Sequence, residues 1–154
     1  MISQKQYASR RRDLMAMMQG NSIAVIAAAP EKIRSKDTHY PYKQSTNLSY
    51  LSGFPEPQSV MLLIPGRSQG EMVFFCRDKD PLRETWDGYR QGPAGAVQNF
   101  GADDAFPIDD IDDILPGMLE GRDRVYYGIG KDAEFDKHLM EWVNGVRDKR
   151  GSDA

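Results

Sequence analysis

The sequence is poor in the residues from which most catalytic and metal sites are built. It contains one cysteine, Cys76, and two histidines, His39 and His138. A single cysteine allows no internal disulfide and no cysteine-based zinc site. Two histidines make a zinc or manganese site built mainly on imidazole hard to assemble. Basic residues are not in surplus either: 20 Lys and Arg stand against 23 Asp and Glu, for a formal net charge of -3. A nucleic-acid partner, which calls for a clustered basic face, therefore has no support. No apolar run approaches the ~20 residues of a membrane span. The opening stretch MISQKQYASRRRDL lacks the apolar centre of a secretory signal, so a cytoplasmic protein is expected. Also missing are a phosphate-binding glycine loop, a GxGxxG turn after a strand and a GxSxG nucleophile elbow.

What is present reads as one globular domain. A chain of 154 residues suits a single core and buries about two-thirds of its unfolded surface. Ser3, with Gln6 three residues on, forms a capping-box signal. The helix it opens carries Tyr7, Leu14, Met15, Met17 and Met18 as a stripe and stops at Gly20. On it Arg10, Arg11 and Arg12 read as a solvated face, and the three methionines as core filler. Residues 22–28 are a nearly continuous apolar run, the pattern of a buried strand.

A long polar segment follows, in which Tyr40, Tyr42, Tyr50, Phe54 and His39 are interleaved. A structureless loop of that length is uncommon, so the aromatics are expected to pack it down, with a turn of helix or strand near 47–51. Two apolar runs, 59–65 and 71–77, flank GRSQG and predict a β-hairpin. Each is apolar on both faces, so its sheet should be covered on both sides. Asp80 as cap and Pro81 in the first turn predict a short helix over 81–86, stopped by Gly88. A second short helix over 93–99, a small strand over 105–108, a helix over 111–121 interrupted at Pro116 and a strand over 123–130 follow. The segment 131–150 places Phe135, Leu139, Trp142, Val143 and Val146 at helical spacing. Strands alternate with helices and at least four strands read as core-type. The fold class is α/β: a mixed β-sheet with helices on both faces, in a single domain.

Few residues suggest chemistry. His138 stands between Glu134 and Glu141 on the last helix; the spacing fits either a ligand set or a solvated flank with weak pairs. The run DDIDD at 109–113 suits a cation, but acidic residues at a helix start are favoured by the dipole alone. Asp37 and His39 are neighbours without a visible nucleophile, and Cys76 lies in the apolar run MVFFC as a small buried hydrophobe. The most unusual stretch is RDKDPLRETWDGYRQG at 77–92, in which eight of sixteen residues are charged around Trp86.

The stretches RSKDTHYPYKQSTNLSYLSGFPEP (34–57) and FCRDKDPLRETWDGYRQG (75–92) resemble the N-terminal domain of Xaa-Pro aminopeptidase, or aminopeptidase P, shared more loosely with prolidase and creatinase. The opening YASRRRDLMAMM and SIAVIAAAPEKIRS also look like that family's first helix and strand, so the resemblance covers nearly the whole chain. It departs at Lys43, where Arg is usual, and in STNLSYLSGF, which is less aromatic than in many relatives. The resemblance implies a non-catalytic domain over 1–154. The family's catalytic domain has a pita-bread fold and holds two metal ions, usually manganese, through two Asp, one His and two Glu. No positions here match those ligands, so no metal and no catalytic residue is expected in this chain, which alone should be inactive. The parent would remove the N-terminal residue that precedes proline, so its substrates would be peptides with proline second.

The domain's implied roles are assembly of a homo-oligomer and narrowing of the active-site cleft, with its own catalytic domain and other subunits as partners. In some bacterial members the tryptophan of the ExWxG motif enters a neighbouring subunit's active site; the matching residue is Trp86. Against this stands a simple core role for Trp86 on a short helix. Arg83 and Arg90 suit either peptide contacts or, with Arg77, ion pairs to Asp78, Asp80, Glu84 and Asp87. Tyr40, Pro41 and Tyr42 are expected to wedge a turn under the sheet, and Gly53, Phe54, Arg77, Asp78, Glu84 and Gly88 to be structural members of the motif. A stand-alone interaction module, or the N-terminal domain of a prolidase- or creatinase-type enzyme, is the alternative.

Overall fold

In the computed structural model, which describes residues 2–31 and 42–152, the two apolar runs form adjacent antiparallel strands, β2 (Val60–Leu63) and β3 (Met72–Cys76). Every residue of both is buried, which requires cover on each face. β1 (Ser22–Ala27) pairs antiparallel with β2, with Val25 opposite Leu62. Two short strands complete the sheet in parallel: β4 (Asp104–Pro107) beside β3 and β5 (Arg124–Tyr127) beside β1, in the order β4-β3-β2-β1-β5. The sheet is mixed, as expected. Only β1, β2 and β3 are core strands, however, and not four: β4 is half-buried and β5 mostly exposed. Both are edges, and an edge strand is covered along one side only.

Side-chain alternation along β2 splits the core. Met61 and Leu63 face one cluster with Phe74, Cys76 and Phe54, covered by α1 (Gln4–Met17), α2 (Thr46–Ser52) and α4 (Gly92–Phe100). Val60 and Leu62 face the other with Val73 and Phe75, covered by α5 (Ile111–Leu119) and α6 (Ala133–Ser152). The cover on both sides is what a doubly apolar hairpin demands.

Local signals set the helix ends. Ser3 and Gln6 close a reciprocal capping box on α1, with the Ser3 amide donating to Gln6 Oε1 at 2.8 Å. Ser45 caps α2, and Gly53 ends it in the left-handed region at φ 70. A Cβ at Gly53 would stand 2.6 Å from the Tyr7 ring, so this glycine also lets α1 and α2 approach. α5 begins after a single 3-10 turn (Ile108–Asp110) and runs through Pro116 without interruption. The proline removes one amide from a helix whose packing is fixed by buried Leu115 and Leu119 on either side of it.

Two further expectations for α1 change. Arg11 is buried, not solvated, and its guanidinium donates to the Leu51 carbonyl at 2.8 Å. Arg10 donates to the Tyr50 carbonyl at 2.9 Å and lies 4.1 Å from the Tyr50 ring centroid. These arginines tie α1 to α2. Of the methionines, Met15 and Met18 pack on the core, but Met17 is exposed.

Phe54 is fully buried, its ring centroid 4.6 Å from that of Phe74 and 5.0 Å from that of Phe100. Phe54→Ala is expected to cost about 3–5 kcal/mol. Urea unfolding checks this through a lower midpoint at unchanged slope; an unaltered midpoint would mean that the site closes around the loss.

Candidate functional site

β3 leaves the core at Cys76, and its continuation carries the charged stretch to the surface. Asp80 is extended at φ -145, and its carboxylate accepts from the Arg83 amide at 3.1 Å. Pro81 supplies a first turn with no amide to satisfy. The helix these residues start, α3 (Pro81–Asp87), ends at Gly88, whose φ of 95 suits glycine. None of its residues is buried.

Trp86 therefore points away from the core. It is 83% exposed, with Leu82 at 76% and Tyr89 at 67% beside it in sequence. A core role for Trp86 within this chain is ruled out. The other tryptophan behaves differently: Trp142 packs edge-on against Phe135 and donates from Nε1 to Asp112 at 3.0 Å.

The charges around Trp86 form a frame. Lys79 Nζ lies 2.7 Å from Glu84 Oε1 and donates to the Arg90 carbonyl, also at 2.7 Å. The Arg90 amide donates to the same Glu84 oxygen at 2.8 Å. Lys79 holds the Glu84 carboxyl below the usual range, and Glu84 raises the Lys79 pKa in return. Deeper, buried Glu56 accepts from the Gln91 amide at 2.8 Å and from Arg77 Nη2 at 3.3 Å.

The three arginines thus part company. Arg77 pairs with Glu56. Arg90 Nη1 donates to the Asp78 carbonyl at 3.3 Å and makes no ion pair among the described residues. Arg83 is exposed and also makes none, since Asp80 is engaged by the helix amide and Glu84 by Lys79. Asp78 and Asp87 are exposed, and Asp78 contributes only its carbonyl to Arg90. Chemically the stretch presents an indole, an isobutyl group and a phenol on a charged scaffold, with no nucleophile–base pair among the described residues.

The polar-aromatic segment is organised by a residue that sequence reading passed over. Gln44 Nε2 donates to the carbonyls of Phe54 and Glu56 at 3.1 and 2.8 Å, and its Oε1 accepts the Ala29 amide at 3.0 Å. Part-buried Tyr42 donates to the Ala29 carbonyl at 2.6 Å, and burial pushes its phenol up to about 12. Nothing in a lone Gln among Ser and Thr signals such a hub. Tyr40, Pro41, His39 and Asp37 lie outside the described residues. A hollow of about 970 Å³ between α1, α2 and β1 is flanked by Glu31 and Tyr42 and involves no residue of α3.

No group of three or more His, Cys, Asp or Glu among the described residues is placed to hold a metal ion. His138 stands 3.9 Å from both Glu134 and Glu141, on an exposed flank. The acidic run lies in the 3-10 turn and the first turn of α5, where the dipole favours it.

The family model for the aminopeptidase P N-terminal domain matches residues 7–126. The chain belongs to that family. It is 38% identical to Xaa-Pro aminopeptidase of Escherichia coli over 136 residues, which is 88% of this chain and 31% of the relative. Its structure matches Pseudomonas aeruginosa aminopeptidase PepP with a TM-score of 0.94 at 56% identity, covering 98% of this chain and 34% of the other. Aminopeptidase P from E. coli matches with a TM-score of 0.92 at 34% identity, over 99% and 35% of the two chains. The chain thus spans about a third of the length of the relatives it matches, and it corresponds to their N-terminal domain.

Glu56→Ala strands the Arg77 side chain, only 14% exposed, and frees the Gln91 amide, at an expected cost of about 3–5 kcal/mol in urea unfolding; a loss below ~1 kcal/mol would place the pair with exposed ones. Cys76 is fully buried, and burial, with Glu56 and Asp78 adding to it, pushes its thiol up from 9.0 to about 12. Its stabilising share is whole below 9.0 and declines as pH rises toward 12. Thiol reagents near pH 8 should leave the folded chain unlabelled and react once urea unfolds it; rapid native labelling would contradict this burial.

Proposed function

We propose that this domain serves a proline-specific metalloaminopeptidase, an enzyme that removes the N-terminal residue preceding proline, by helping to assemble subunits and by narrowing the active-site cleft. The observation that carries the reading is Trp86: an exposed indole on a helix with no buried residue, in a chain that belongs to the aminopeptidase P N-terminal family. Such an indole offers a flat apolar face to a proline ring, and aromatic anchors of this kind dominate interface energetics. Arg83, exposed beside it, is available to peptide carbonyls or a carboxylate, whereas Arg90 is tied into the loop.

The reaction itself belongs to a catalytic domain beyond these residues. The two manganese ions of the proposed enzyme find no fitting ligand cluster among the described residues of this chain, so no catalytic step is assigned to it. What the domain supplies is exclusion and orientation: a wall that admits a free peptide end and an aromatic surface that packs against it. The peptides are those with proline in the second position. The partners are the domain's own catalytic domain and further subunits of a homo-oligomer.

The test is Trp86→Ala in the complete enzyme. With an anchor of hot-spot rank, about 2 kcal/mol, kcat/KM for proline-second peptides should fall roughly thirty-fold, carried mainly by KM. Unchanged kcat/KM would remove Trp86 from the cleft.

A further inference from the structure

α3 has no evident reason to hold still. It buries none of its seven residues, and an isolated helix shorter than ~12–15 residues is marginal in water. Neither core packing nor length accounts for its order. Its internal bonds, the Asp80 cap and the Thr85 hydroxyl donating to the Pro81 carbonyl at 3.0 Å, shape the helix but do not fix it to the domain.

Glu84 does. One carboxylate oxygen receives the Lys79 ammonium at 2.7 Å, from the segment that enters α3, and the Arg90 amide at 2.8 Å, from the segment that leaves it. Lys79 closes the ring by donating to the Arg90 carbonyl at 2.7 Å, and it stands 4.0 Å from the Tyr89 ring centroid. The Glu84 side chain is 13% exposed, the reverse of Trp86 two residues on. From Gln91 the chain is held in turn by buried Glu56. Gly92 permits the closeness, since a Cβ there would meet Lys79 Cγ at 2.7 Å.

We propose that Glu84 is a positioning residue: through Lys79 and the Arg90 amide it fixes the orientation of α3, and so aims Trp86. The inference rests on the cleft role of Trp86 for its purpose, but not for its test. Because α3 contributes nothing to the core, breaking the brace should loosen the helix and leave the sheet intact. A residue serving general stability would act on both.

Backbone order parameters from nitrogen relaxation of the 154-residue chain, whose sheet is covered on both faces, read this directly. The Trp86 amide is expected near 0.85 in the parent chain and below about 0.6 in Glu84→Ala and in Lys79→Met, with β2 and β3 rigid throughout. Retained order at Trp86 in either variant would overturn the brace. So would equal loosening of β2 and β3, which would make Glu84 a residue of overall stability. All of this is read without substrate or partner. A failure here is therefore distinct from a failure of Trp86→Ala in the complete enzyme.

Discussion

Burial of the β2–β3 hairpin on both faces is the constraint from which the rest follows. Its alternate side chains face two separate apolar clusters, so helices must lie on each side of the sheet. Two of them, α4 and α5, lie in crossovers to strands parallel with their neighbours, β4 beside β3 and β5 beside β1, while α1, α2 and α6 lie outside those crossovers. A parallel connection needs a dozen or more residues. The crossover from β3 to β4 contains two helices, of which α4 covers the core with Gly92, Gly95 and Ala96 buried. α3 has no apolar surface left to cover. The fold thus leaves a helix at the end of the sheet whose side chains are free for another use.

A helix placed there can be ordered only by polar means. Two carboxylates take that task at different depths. Glu56, buried beneath the loop, binds the backbone after α3 and the arginine that follows β3. Glu84, in the helix itself, binds the segments on either side of it. Hydrogen bonds to charged groups are stronger than those between neutral ones, which suits a seven-residue helix that has no core packing. Part of the mixed charge around Trp86 is thereby explained as scaffolding; Arg83 and the exposed carboxylates of Asp78 and Asp87 are not used by it.

Much of this was legible in the sequence where the signal was local. The capping box at Ser3 and Gln6, the Asp80 cap with Pro81, the stop at Gly88 and the doubly apolar hairpin each depend on residues a few positions apart. Their structural outcome matches the reading. The long gapped motifs around Phe54 and Trp86 also carried the family correctly. What was illegible depends on distant carbonyls. Arg11 reads as solvated because its partner, the Leu51 carbonyl, lies 40 residues away and leaves no trace in side-chain pattern. The Gln44 hub fails for the same reason. At least four core-type strands are expected and three are found, because sequence pattern does not reveal that β4 and β5 will each have a neighbour on one side only. At Pro116 the local rule predicted a break, and packing of Leu115 and Leu119 prevailed.

The exposure of Trp86, Leu82 and Tyr89 to water is costly, and the proposed cleft role gives it a physical use. Aromatic side chains bury roughly 150–250 Å² when they find a partner, and ordering a flexible side chain or loop at an interface costs about 0.5–1.5 kcal/mol per immobilised side chain. A helix already fixed by carboxylates has met part of that cost before any partner arrives. Trp86 needs only its own χ angles to settle on contact, because the backbone beneath it is set by the Glu84 and Glu56 anchors. Under the proposed cleft role, the domain's contribution to a reaction would be to hold one apolar face at a fixed position on the rim of a site that another domain provides.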